Sequence, residues 1–215
     1  MIGRIQSLVI CALVASLCAG CKAKKAPAVT RAKWEVDLEA SMKAFENRKR
    51  YPALALDTIK GIPDAKLEQA VIDFIDCKFE KSKKPERQVL GELSTGFRAV
   101  YSTWILEGEV NNGGFNQFFW NSSGDYAAEA QAGFDLMGAT AYAGLLRRAT
   151  AIRDADRRKT QVFKDRGTIE AFSESYENNR LNDLDLEFYK LGDNLSAIRI
   201  KFIRAHPEMF VGVCG

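Results

Sequence analysis

Seventeen residues near the middle of the chain constrain its fold more than any others: Glu109-Val-Asn-Asn-Gly-Gly-Phe-Asn-Gln-Phe-Phe-Trp-Asn-Ser-Ser-Gly-Asp125. They crowd turn formers, amides and aromatics between two runs whose apolar residues recur at three and four positions, the spacing of one helix face. Upstream the stripe is Val89, Leu93, Phe97, Val100 or Tyr101, and Trp104, with Pro85 suited to a first helical turn and an expected stop near Gly108. Downstream it is Tyr126, Ala130, Phe134, Met137, Ala141 and Leu145, the longest pattern in the chain, with small residues between that let another helix come close. Asn112, Gly113 and Gly114 tolerate positive φ, which predicts a tight reversal. Phe115, Phe118, Phe119 and Trp120 are too apolar to stay in water, so the connection should fold inward and pin the two helices together. Asn121, Ser122, Ser123, Gly124 and Asp125 read as a second turn whose oxygens cap the next helix. Buried backbone needs partners, and Asn111, Asn112, Asn116, Gln117 and Asn121 are suited to supply them.

The remaining patterns are helical as well. Trp34, Leu38, Met42 and Phe45 share a face of a first helix. Leu67, Val71, Phe74 and Ile75 follow Pro63, with Asp64 a candidate N-cap, and Lys81 to Pro85 is a polar break. Thr168 can cap a helix carrying Ile169, Phe172 and Tyr176, whereas Leu181 to Tyr189 is ambiguous. A last helix should run from about Asp193 through Leu195, Ile198 and Phe202 to His206, where Pro207 ends it. No alternating apolar and polar window persists beyond four or five positions, and no internal repeat is visible. The expected fold class is all-α: a single-domain helical bundle with a buried Gly/Asn/aromatic connection between two central helices.

Residues 1–20 read as a lipoprotein signal peptide. Arg4 gives a positive start, Leu8 to Leu17 an apolar core too short to span a bilayer, and Ala19-Gly20 the small residues before Cys21. Cys21 is then the residue expected to carry acyl chains such as palmitate. The competing reading is a plain secretory peptide with an incidental cysteine, since Cys18 stands where such boxes usually carry Leu. Residues 21–30 form a lipid-anchored linker with Lys22, Lys24, Lys25 and Pro27, and residues 31–85 the N-terminal helices. Lys22 in place of an Asp after Cys21 is the usual mark of sorting to an outer membrane, in cells that have one. The expected location is therefore the bacterial cell envelope.

Beyond the signal, thirty basic and twenty-eight acidic residues leave the chain near neutral, without the one-sided excess of a nucleic-acid binder. Locally the charge separates. Arg147 to Arg166 is basic, and Glu170, Glu174, Glu177, Asp183, Asp185 and Glu187 make the run to Asp193 acidic, either an interaction face or plain solvated helix surface. Cys77 and Cys214 could pair across a very long loop in an oxidising compartment, or stay a buried thiol and an exposed terminal one.

Residue types for catalysis are sparse. His206 is the single histidine, better suited to meet carbonyls at a helix end, so a serine triad lacks its base and no Cys/His spacing suits a metal. Glu107 and Glu109, two apart, would not share a helix face. The expectation is a protein that is not an enzyme, with no cofactor and no metal site. A hydrolase would have to use Glu107, Glu109 or Asp125.

Glu109-Val110, Asn112-Gly113-Gly114-Phe115, Gln117-Phe118-Phe119 and Asn121-Ser122-Ser123-Gly124, followed by Gly138-Ala139, resemble the signature of the bacterial DNA-mimic-protein-like domain. Leu184 to Tyr189 and His206 to Phe210 are similar to that family's closing segment, which makes residues 86–215 the family domain. The resemblance implies an all-helical fold and, as in an acidic dimer that imitates DNA phosphates, a homodimer. Mimicry requires dense negative charge, and this chain is near neutral. The expected function is a membrane-anchored protein-binding module of the envelope whose partner is an envelope or toxin-like protein, not nucleic acid. An immunity-type inhibitor of a toxin or hydrolase is the alternative, and an envelope hydrolase the one after it.

Overall fold

The computed structural model describes residues 33–192 and 194–215. The expected signal peptide at 1–20, Cys21, the expected linker and Asp193 lie outside them. The chain is all-α apart from one small sheet. The helices run in order as α1 (Lys33–Glu46), α2 (Leu56–Gly61), α3 (Asp64–Lys81), α4 (Glu86–Glu92), α5 (Thr95–Trp120), α6 (Ala127–Leu136), α7 (Thr140–Ala155), α8 (Arg157–Arg166), α9 (Ile169–Glu174), α10 (Leu181–Lys190) and α11 (Leu195–Ala205). Two short 3-10 helices, Ser122–Tyr126 and Pro207–Phe210, link α5 to α6 and follow α11. The described residues divide after Arg48 into two units, α1 belonging to the first and residues 49–215 to the second.

Within the second unit α5 is the spine. Phe97, Val100 and Tyr101 from its first half pack in a cluster with Phe74 and Ile75 of α3, Phe202 and Ile203 of α11, and Phe210. Val110, Phe115, Phe118 and Phe119 from its second half pack in another with Phe134 of α6, Leu146 of α7 and Phe188 of α10. The single pattern expected from Pro85 to Gly108 is two helices, because Ser94 breaks it: its hydroxyl accepts from Phe97 N and starts α5 afresh. α5 then continues past Gly108. The long downstream pattern is also divided, at Gly138 (φ 69°), into α6 and α7. Leu181 to Tyr189, ambiguous in sequence, lies in α10.

Caps differ in detail from expectation. Pro63 occupies the N-cap of α3, and Asp64, one residue inside, instead receives Arg204 Nε at 2.8 Å. Thr168 does accept from Ala171 N, and Asn194 caps α11. His206, at the C-cap of α11, has its ring 5.0 Å from that of Phe202 and its Nδ1 3.6 Å from Glu208.

The strands β1 (Ala53–Leu54) and β2 (Gly212–Val213) are too short for a periodicity signal, and pair antiparallel with Ala53 opposite Val213. Their pairing carries the chain end back to α3, where Cys214 is joined to Cys77 in a disulfide with the Cα atoms 5.9 Å apart. The bond closes a loop of 137 residues. By the chain-entropy argument its reduction should cost about 2–5 kcal/mol. We expect the urea midpoint to fall accordingly in dithiothreitol, and a Cys77→Ser/Cys214→Ser form to be insensitive to the reductant.

Candidate binding site at the helix kink

The backbone leaves helical geometry at two consecutive residues inside α5, Gly113 (φ −160°, ψ 30°) and Gly114 (φ 70°, ψ −178°). The expected tight reversal is therefore a kink, with the chain resuming helix at Phe115. Gly114 is required twice over. Its φ is left-handed, and a Cβ there would sit 2.2 Å from Asp185 Oδ2. Asp185, on α10, uses that space: its Oδ1 accepts from Phe115 N at 2.7 Å, placing a carboxylate at the start of the resumed helix. Burial pushes the Asp185 carboxyl above its ordinary value, and the Phe115 N–H pulls it back.

Carbonyls at the kink also need partners. Tyr189 donates to Val110 O at 2.7 Å and Tyr176 to Gly113 O at 2.8 Å. Burial raises both phenols, and the nearby Asp185 charge acts in the same direction. The motif amides serve elsewhere than expected. Glu109 Oε2 accepts from Gln117 Nε2 (2.8 Å) and Asn121 Nδ2 (2.9 Å), and its Oε1 from Ser123 Oγ (2.6 Å). Three motif side chains thus tie a single carboxylate across the kink. Asn116, buried, donates to Ser175 Oγ at 2.7 Å and accepts from Asn179 Nδ2 at 3.0 Å. Asn121 and Ser123 are consequently not helix caps, and α6 starts without a side-chain cap bond.

Beside the kink lies a cleft of about 620 Å³ between the end of α5 and the α8–α9 turn. Asn112, Gln117 and Asn121 line one side, and Ile169 and Phe172 the other. Trp120 is half-buried there, its ring 5.0 Å from that of Phe172, while Phe115, Phe118 and Phe119 are buried as the sequence predicts. Lys164 Nζ donates to Phe119 O at 3.0 Å, 5.7 Å from the Trp120 ring centre. Loss of solvation lowers its pKa, Asp125 opposing and Arg153 reinforcing the shift. Ile169 is 79% exposed, a large apolar side chain standing in water at the rim. Ser122 and Gly124 lie in the 3-10 helix beyond.

Half of the acidic run is occupied. Arg166 holds Glu174, and Arg148 holds Glu187, each through two bonds that keep the carboxyl below its ordinary value. Arg180 similarly pairs with Asp156 at 2.9 Å, and Asp185 faces the kink. Glu170, Glu177 and Asp183 are exposed. The basic and acidic segments therefore face one another, which composition could not reveal. A second cleft, of about 390 Å³, contains Arg87, Arg147 and Arg153, each with a carboxylate near it: Asp125 at 3.6 Å, Asp135 at 3.3 Å and Asp154 at 2.8 Å.

Of the carboxylates a hydrolase would use, Glu107 is bonded to Arg199, Glu109 to its three donors, and Asp125 faces Arg87. Among the described residues no group of three or more His, Cys, Asp or Glu is placed to hold a metal, and no helix is long and apolar enough to cross a membrane. Sequence reasoning missed Tyr176 as a partner of the kink, Lys164 as a partner of Phe119 in the cleft, and the roles of Asp185 and Tyr189. The last two did carry a signal, because a spacing of four places them on one face once α10 is recognised.

A family model described as DMP19-like protein matches residues 91–206, from the end of α4 through α11. No curated protein and no solved structure matches the chain.

Proposed function

The chain belongs to the DMP19-like protein family, and from that premise we propose that it acts as a membrane-tethered, non-enzymatic protein-binding module of the bacterial cell envelope. The observation that carries this reading is the cleft beside the kink. Its amides, aromatic rings, desolvated lysine and exposed Ile169 combine the apolar anchor and convergent polar groups of a recognition site. The engaged state of Glu107, Glu109 and Asp125 favours binding over turnover. Acyl chains on Cys21 would hold the domain at the membrane, since each buried methylene contributes about 0.8 kcal/mol. DNA mimicry is not favoured, because the arginines that pair with Glu174 and Glu187 cancel the charge it would need. An immunity-type inhibitor acting through the acidic run is disfavoured for the same reason.

The test is affinity capture from native envelope extract with the acylated protein, a Cys21→Ser control, and an Ile169→Asp/Lys164→Glu variant. One envelope protein recovered in near-equal amount, and reduced at least about tenfold by the cleft variant, is the expected result. Recovery unaffected by that variant would exclude the cleft. Recovery of DNA-binding proteins instead would restore mimicry.

A further inference from the structure

α1 has no buried residue, and its stripe of Trp34, Leu38, Met42 and Phe45 is 44–65% exposed. We propose that this stripe lies on the bilayer surface, so that the protein holds the membrane by an interfacial helix as well as by its anchor. The inference rests on the tethered reading above.

Four observations select a lipid surface as the occupant. The first is reach. Only eleven residues separate Cys21 from Lys33, a span of at most about 43 Å, so an acyl chain in the bilayer keeps α1 beside the head groups at high effective concentration. The second is charge. Lys22, Lys24, Lys25 and Arg31 precede the helix and Arg48 follows it in sequence, cations suited to anionic head groups. Of the acidic residues of α1 itself, Asp37 and Glu39 lie away from the stripe by helical spacing, and Glu35 and Glu46 border it on the Met42 side. The third is length: fourteen residues extend about 21 Å, too short to span the hydrocarbon core and sufficient to lie in its plane. The fourth is the position of Trp34 at the anchored end, where an indole ring meets the interface that such rings favour. A helix this short is marginal in water by itself, so a surface that takes up its apolar face also stabilises it.

Cys21 offers a direct test, because Cys77 and Cys214 are bonded to each other and it remains the one free thiol of the chain from residue 21 onward. That chain can be coupled through Cys21 to a maleimide lipid in vesicles of phosphatidylethanolamine and phosphatidylglycerol carrying brominated acyl chains. Tryptophan emission should be quenched relative to unbrominated vesicles, and the quenching should disappear in Trp34→Phe and in Leu38→Asp/Phe45→Asp. Neither variant touches a buried position, so Trp104 and Trp120 report an intact fold throughout. Absence of quenching in the coupled wild-type chain, or quenching that both variants retain, would overturn the proposal. So would a vesicle-free dimer that Leu38→Asp/Phe45→Asp converts to monomer, since a second copy would then cover the stripe. The tether is read separately, by the acyl mass on Cys21 of chain extracted from cell membranes. A chain that lacks this mass yet shows the Trp34-dependent quenching would refute the anchor and leave the helix assignment standing.

Discussion

Gly114→Ala should cost about 2–5 kcal/mol, a large part of the stability of a domain this size. Two separate effects add. An alanine held at φ 70°, ψ −178°, a region nearly reserved for glycine, is strained by about 1–3 kcal/mol. Its Cβ would also meet Asp185 Oδ2 at 2.2 Å and Cγ at 2.6 Å, so the carboxylate must leave. Phe115 N then loses its cap, at about 1–2 kcal/mol, at a point where water has limited access to replace it. Gly138→Ala is the clash-free comparison, because Gly138 also has a positive φ, 69°, and nothing within 4 Å of its would-be Cβ. It should lose the strain alone. Urea unfolding of Gly114→Ala, Gly138→Ala, Asp185→Ala and the Gly114→Ala/Asp185→Ala pair measures every term. If the cap is the shared element, the pair should be less destabilised than the sum of its singles. Full additivity of the pair would mean that Asp185 keeps its bond to Phe115 N beside the new Cβ.

The same residues show what was legible beforehand. Apolar spacing located most of the helices, because burying one face imposes a period that local residues must carry. Gly113 and Gly114 announced a change of direction for the same reason: the requirement for positive φ is written in the residue itself. What the chain does there was not legible. A reversal and a kink use the same glycines, and the choice rests on Asp185, Tyr176 and Tyr189, more than sixty positions away. Likewise Gln117, Asn121 and Ser123 read as turn and cap residues, and only the fold reveals that Glu109 collects all three. The acidic run was legible only in part for a related cause, since sequence counts charges without showing that Arg148 and Arg166 face Glu187 and Glu174. The cleft is harder still to foresee. It is assembled from α5 and the α8–α9 turn, and Lys164 resembles any other surface lysine until its partners Phe119 and Trp120 are known.

Arg199→Met should be about as damaging as Gly114→Ala, for an electrostatic reason. Arg199 is 1% exposed and donates through Nε to Glu68 of α3 and through Nη2 to Glu107 of α5, while Ser196 donates to the other Glu68 oxygen at 2.6 Å. Removing the guanidinium leaves two carboxylates with side chains only 17% and 26% exposed and no counter-charge, a loss of about 3–5 kcal/mol. The attraction within the trio need not exceed what it costs to desolvate three charges. Glu68→Gln/Glu107→Gln/Arg199→Met should therefore regain most of the loss, although it keeps fewer polar contacts than the single variant's neighbours offered. A triple variant no more stable than Arg199→Met in urea would show that the arginine acts through packing rather than charge. The same trio bears on where the folding unit begins. Glu68 precedes the matched segment 91–206, and α3 supplies Leu67, Val71, Phe74 and Ile75 to the cluster that buries Phe202. A chain beginning at Glu86 would lose Glu68, the disulfide partner of Cys214 and that apolar wall together. The helices ahead of the family segment are therefore part of what holds α11 in place.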